Sequence, residues 1–176
     1  MKEELFTKRL ALRKMRTSDA PALFTIWSDP AVVEFMNISA FTHESQAIEM
    51  ITLLHELAEK NQAIRYSIFN LNSKEIIGTC GFNSIDPENS RAEIGYDIAK
   101  PYWGNGYAPE SIQALIHEAF ENLRINRIEA KVEPANVNSI KVLEKLHFTF
   151  EGTLRQYEKV KGKFVDIHMY SLLKSD

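Results

Sequence analysis

The sequence predicts an α+β fold: a mixed, mostly antiparallel sheet of about seven strands with flanking helices. Three observations carry this. Short period-two runs come in consecutive groups instead of alternating with helices. One strand, a glycine turn and a strongly periodic helix form a single β-turn-α-β unit in the middle. No Pro/Gly/Ser-rich linker, composition shift or fixed-period repeat divides the chain, so residues 8–174 are expected to form a single domain.

The elements follow in order. Leu10 and Leu12 alternate with Arg9 and Arg13 as a short first strand. Thr17-Ser18-Asp19 offers an N-cap, Pro21 suits a first turn, and Ala20, Leu23, Phe24 and Trp27 fall at helical spacing. Thr42 and Glu44 open a second helix with the stripe Ala47, Ile51, Leu54 and Ala58. An Asn72-Ser73-Lys74 turn separates strands near 64–70 and 75–83. From Ala92 to Ile98, residues Ala92, Ile94, Tyr96 and Ile98 face one way and Glu93, Gly95 and Asp97 the other. The next helix carries Ile112, Leu115, Ile116, Ala119, Phe120 and Leu123 without a break in period. Ile128, Ala130 and Val132 alternate as a strand, and a short helix spans about 138–146. Two final strands, near 148–158 and 163–173, meet at Lys161-Gly162. Such grouping argues against a doubly wound sheet.

Composition narrows the function. With 44% hydrophobic and 26% charged residues the chain is ordinary globular material, long enough to bury a core. A net charge of −3 leaves no polybasic footprint, so nucleic acid is not expected as a partner. No apolar run exceeds three residues and the start is charged, so neither a membrane helix nor a signal peptide is expected, and a cytoplasmic location is. The single cysteine, Cys80, reads as a small core residue without disulfide or zinc companions. The five histidines lack metal-ligand spacing, and no metal is expected. Lys159, Lys161 and Lys163 read as a solvated hairpin.

The turn Pro101-Tyr102-Trp103-Gly104-Asn105-Gly106-Tyr107-Ala108-Pro109 is the most informative segment. Two glycines one residue apart let backbone N–H groups surround an anion, and the helix opening behind them adds free donors. A pyrophosphate suits such a cradle; a plain strand-to-helix turn has the same residues. The chain has no P-loop pattern, and Pro109 stands where a dinucleotide fingerprint needs its third glycine.

These residues resemble the acetyl-CoA motif of the GNAT N-acetyltransferases: the strand 92–98, the turn 102–108 and Glu110 behind it. Asn136-Val137-Asn138-Ser139 and Val142-Leu143-Glu144-Lys145-Leu146 are similar to the segment that marks the ribosomal-protein N-acetyltransferase branch. The opening 9–13, the segment 150–155 and the tail Asp166 to Tyr170 also fit. His147 departs from the pattern, standing where the family has glycine after the helix.

The resemblance implies acetyl-CoA as co-substrate, with no metal, and a primary amine as acceptor, foremost a protein or peptide N-terminus. A polyamine, an amine antibiotic or a non-catalytic acyl-CoA sensor are the alternatives, and the assembly is a monomer or homodimer. It assigns Trp103, Gly104, Asn105, Gly106, Tyr107 and Ala108 to the pyrophosphate, and Ile98 and Ala99 to the pantetheine and acetyl group. Asn136 would bind the cofactor arm and Ser139 would sit near the sulfur as general acid, although both types also suit helix capping. Glu158 and Glu93 are the candidate bases. Strand rise puts Glu93 about 16 Å behind Ile98, so Glu158, matching by position a family carboxylate, is favoured.

Overall fold

The structure is a computed structural model that describes residues 2–176. Its strands are β1 (Glu4–Phe6), β2 (Leu10–Lys14), β3 (Ile64–Asn70), β4 (Ile76–Asp86), β5 (Arg91–Ile98), β6 (Arg127–Val132), β7 (Thr149–Val160) and β8 (Lys163–Leu173). Its helices are α1 (Ala20–Trp27), α2 (Glu44–Glu59), α3 (Tyr107–Asn122) and α4 (Val137–Lys145). The strands form one eight-stranded sheet in the order β1-β2-β3-β4-β5-β6-β8-β7. Every neighbouring pair is antiparallel except β5 and β6. The expected count of about seven is thus corrected to eight. The additional strand, β1, is three residues long, too short to show a period, and it precedes residue 8.

Period two sorts the core. Ile77 and Ile98 pack with α3 and α4 residues such as Ile112, Leu115 and Leu143, whereas their chain neighbours Ile76 and Ala99 pack with Leu23, Trp27 and Ile51 of α1 and α2. The two helix pairs therefore cover opposite faces of the sheet. The face opposite Ile94 on β5 is not simply solvated. Asp97 is buried there, bound by Arg65 at 3.0 Å and by the Thr79 hydroxyl at 2.5 Å. At the end of α4, His147 adopts φ +64°, the left-handed conformation its place after the helix demands.

The parallel pair is where the sheet opens. β5 and β6 are in register only from Arg91–Glu93 against Arg127–Glu129. Beyond that, β5 follows β4 to Ile98 and β6 follows β8 to Val132, so a window separates them. The β7–β8 hairpin closes one side. Its two-residue turn has φ +49° at Lys161 and +82° at Gly162, matching the twist of a tight hairpin. Lys161 is not merely solvated: its Nζ donates to Val33 O at 2.7 Å and Glu34 O at 3.1 Å, and its amide to Asn37 Oδ1. It straps the α1–α2 loop to the hairpin. No described helix is long and apolar enough to cross a membrane.

Candidate active site

The glycine turn ends β5 and opens α3. Gly104 and Gly106 take φ +75° and +76°, and a Cβ at Gly104 would stand in open space. Gly106 caps the helix in the left-handed region, where a side chain costs about 1–2 kcal/mol. Among the described residues no protein acceptor takes the amides of Gly104, Asn105, Gly106, Tyr107 and Ala108. Free amides at the positive end of a sixteen-residue helix fit a pyrophosphate.

Arg9 holds this turn from the far end of the sequence. Its guanidinium binds Glu110 through Nε at 2.7 Å and Nη2 at 2.7 Å, and Nη1 donates to Asn105 O at 2.9 Å. It also lies 4.5 Å from the Tyr107 ring centroid. Burial opposes the charge of Glu110, but hydrogen bonds from Thr7 and Arg9 outweigh it and hold the carboxyl below its ordinary range. The sequence shows Arg9 only as the edge of a strand; nothing in it signals a partner 101 residues away.

Just before the turn, the backbone at the end of β5 faces the window. Ala99 donates its amide to Ile77 O at 2.8 Å, which makes Ile98 and Gly78 a non-hydrogen-bonded antiparallel pair. The N–H and C=O of Ile98 therefore point away from β4, into the splay. Trp103, half-exposed, donates its indole N–H to that carbonyl at 2.6 Å. Of the two positions expected to meet the acyl group, Ile98 presents an available amide, while the amide of Ala99 is engaged by β4.

The two sides of the window carry different chemistry. On the α3/α4 side, the hydroxyls of Tyr96 and Ser139 lie 2.6 Å apart. Burial pushes the Tyr96 phenol up to about 12, with the Ser139 hydrogen bond pulling slightly the other way, so it stays protonated at neutral pH. The Asn136 side-chain oxygen accepts from the Ser139 amide at 3.2 Å, capping α4. On the α1/α2 side, Glu93 and Lys131 alternate with the buried Ile94, Ala130 and Val132. Lys131 Nζ lies 3.0 Å from Glu93 Oε2 and 3.9 Å from Glu158 Oε1. Burial disfavours its charge, yet the hydrogen bond and the nearby carboxylates raise its pKa overall.

A cavity of about 320 Å³ joins both sides and is lined by Glu93, Tyr96, Lys131, Asn136, Ser139 and Glu158 among others. The sequence singles out four of these six; Tyr96 reads along the chain only as an alternating residue of its strand, and Lys131 as one more alternating strand charge. Counting back from Ile98 also separated Glu93 from the chemistry. The cavity runs along β5 from Glu93 to Tyr96, so Glu93 lines the same cavity as Ser139. Glu133 shares the cavity, and its pKa is raised by burial, with the charge of Lys161 opposing.

Comparison with known proteins matches this arrangement. Residues 9–149 match the model of the acetyltransferase (GNAT) domain family. The chain is 53% identical over 174 residues to the uncharacterized N-acetyltransferase p20 of Bacillus licheniformis, covering 99% of this chain and 98% of that one. Among solved structures it is similar to RimL, the ribosomal L7/L12 alpha-N-protein acetyltransferase in complex with coenzyme A (28% identity, TM-score 0.85, 97% of each chain). It is also similar to the microcin C7 self-immunity acetyltransferase MccE in complex with acetyl-CoA and AMP (25% identity, TM-score 0.88, 95% and 93% of the chains). With a glycine turn whose free amides fit a phosphate, an opened parallel pair and these relatives together, the chain belongs to the GNAT family and is an acetyl-CoA-dependent N-acetyltransferase.

Proposed function

We propose that the acceptor is the α-amine of a protein or peptide N-terminus, acetylated within one catalytic domain spanning residues 8–174. The observation that carries this reading is the pairing of carboxylates with hydroxyls across one window: Glu93 and Glu158 on one side, Tyr96 and Ser139 on the other. An α-amine has a pKa near 8 and is about one-tenth neutral at pH 7, whereas a lysine amine is almost wholly charged. A carboxylate is a sufficient base for the former. Glu158 is favoured for that task because it stands farther from Lys131 than Glu93 does, 3.9 Å against 3.0 Å.

Bound acetyl-CoA supplies an activated thioester. Residues Trp103 to Ala108 hold its pyrophosphate, and Asn136, which lines the cavity beside Ser139, holds its arm. The Ile98 amide polarises the acyl oxygen, a contribution of the kind that single oxyanion donors make. The Ser139 hydroxyl, paired with Tyr96, returns a proton to the departing sulfur. The likeness to RimL supports an N-terminal acceptor. The strap of Lys161 over a cavity of about 320 Å³ favours a small amine as the second reading. A cytoplasmic setting accords with the free, buried Cys80.

The test is an acceptor panel of N-terminal peptides, polyamines and aminoglycosides, followed by release of the CoA thiol. Turnover of peptides with free α-amines, abolished by blocking that amine, is the expected result. Turnover confined to polyamines or aminoglycosides would transfer the function to small amines.

A further inference from the structure

We propose that Lys131 is a specificity-determining residue: its ammonium fills one cationic place beside Glu93 and Glu158, so the cavity accepts an amine bearing one positive charge and rejects one bearing two. The inference rests on acetyl transfer to an amine in this cavity, the reading given above, but not on the amine being an N-terminus.

The charge count supports it. Arg65 on β3 lines the cavity but is committed to Asp97 at 3.0 Å. Glu133, beyond the end of β6, also lines the cavity, but burial and the neighbouring carboxylates of Glu158 and Glu34 disfavour its charge, with only Lys161 opposing them. The carboxylates of Glu93 on β5 and Glu158 on β7 then remain, with Lys131 between them. Two negative charges and one positive leave room for a single ammonium. Tyr157 on β7 helps fix the lysine, its ring centroid 5.3 Å from Nζ. Lys131 is also partly buried, with 22% of its side chain exposed, so solvent screens it less than a surface lysine. A second ammonium drawn into a cavity this small meets the Lys131 charge. Two unit charges about 7 Å apart near a protein surface, with their interaction roughly halved by physiological salt, repel enough for about a tenfold change in binding.

The experiment compares kcat/KM within two pairs of acceptors. One pair is propylamine and trimethylenediamine; the other is two peptides identical except for glycine or lysine at the second position. The protein is expected to prefer the singly charged member of each pair by about tenfold, and this needs no variant. K131M and K131Q should erase the preference, mainly through a lower KM for the doubly charged member. K131R should keep it, and a melting shift with acetyl-CoA shows that each variant is folded. Equal handling of both members by the parent protein overturns the proposal. So does a preference that survives in K131M and K131Q, or one lost equally in K131R. If only the peptides fail as acceptors, the N-terminal reading falls while the amine pair still decides the role of Lys131. If all four fail, both fall.

Discussion

The glycine turn and the cavity at the opening between β5 and β6 are assembled differently. The turn draws its donors from backbone amides within five consecutive residues, 104–108, and from the helix they begin. The cavity draws its charges from side chains on β5, β6 and β7, and its cover from a loop held by Lys161. Backbone donors are set by φ and ψ, so they tolerate changes of side chain but not of conformation. Converging side chains depend on register, so each is individually replaceable and individually tunable. Substitutions in the two regions should therefore fail in different ways.

The largest effect is expected at the turn. Gly106→Leu must place a side chain at φ +76°, and relief of that strain displaces the free amides of the turn. Losing one or two hydrogen bonds to a charged group, at about 1.5–3 kcal/mol each, corresponds to about a hundredfold weaker acetyl-CoA binding by calorimetry. Gly106→Asn, whose residue type visits the left-handed region more readily, should recover part of the loss. Equal binding by Gly106→Leu and the parent would show that the turn is not the phosphate cradle.

Across the window the effects should be smaller and should spare the cofactor. Ser139→Ala should lower kcat by about 10–100-fold while acetyl-CoA affinity stays within about threefold. Glu158→Gln should lower kcat/KM and move the rising limb of its pH profile toward the pKa of the amine, while Glu93→Gln changes little. The reverse pattern would assign the base to Glu93, and two silent variants would leave the proton to water. If Ser139→Ala weakens cofactor binding as much as Gly106→Leu does, the distinction between the two regions collapses.

The smallest effect concerns stability of the acceptor side. Hydrogen bonds from Arg127, at 2.8 and 2.6 Å, and from Ser171 hold the Glu151 carboxyl at about 2, below its ordinary 4.5. Because the folded value is depressed, this carboxylate stabilises the fold above pH 4.5, and the contribution is lost as pH falls toward 2. With 38% of the Glu151 side chain exposed, the contribution is held to under about 1 kcal/mol. Denaturant titrations should find Glu151→Gln less stable than the parent at neutral pH, with the two converging by pH 2. A constant gap across that range would mean that packing, not charge, accounts for the difference.

Several features were legible in the sequence because their physics is local. The period of α3 needs only its own side chains, and it reads correctly from Ile112 to Ala119. The glycine turn is legible because φ > 0 at Gly104 and Gly106 is a property of those residues. The same holds at His147, whose position after α4 demanded the conformation it adopts. β1 escaped notice because three residues cannot display an alternation; its pairing with Leu12 and Arg13 defines it. What only the tertiary structure decided is convergence. The bond from Arg9 to Glu110, the strap from Lys161 to the α1–α2 loop and the meeting of Glu93, Glu158 and Lys131 join residues far apart in the chain. Periodicity tells which face of a strand a residue takes. The distance between residues on different strands is set by register and by where β5 and β6 part, and both depend on packing of the whole sheet.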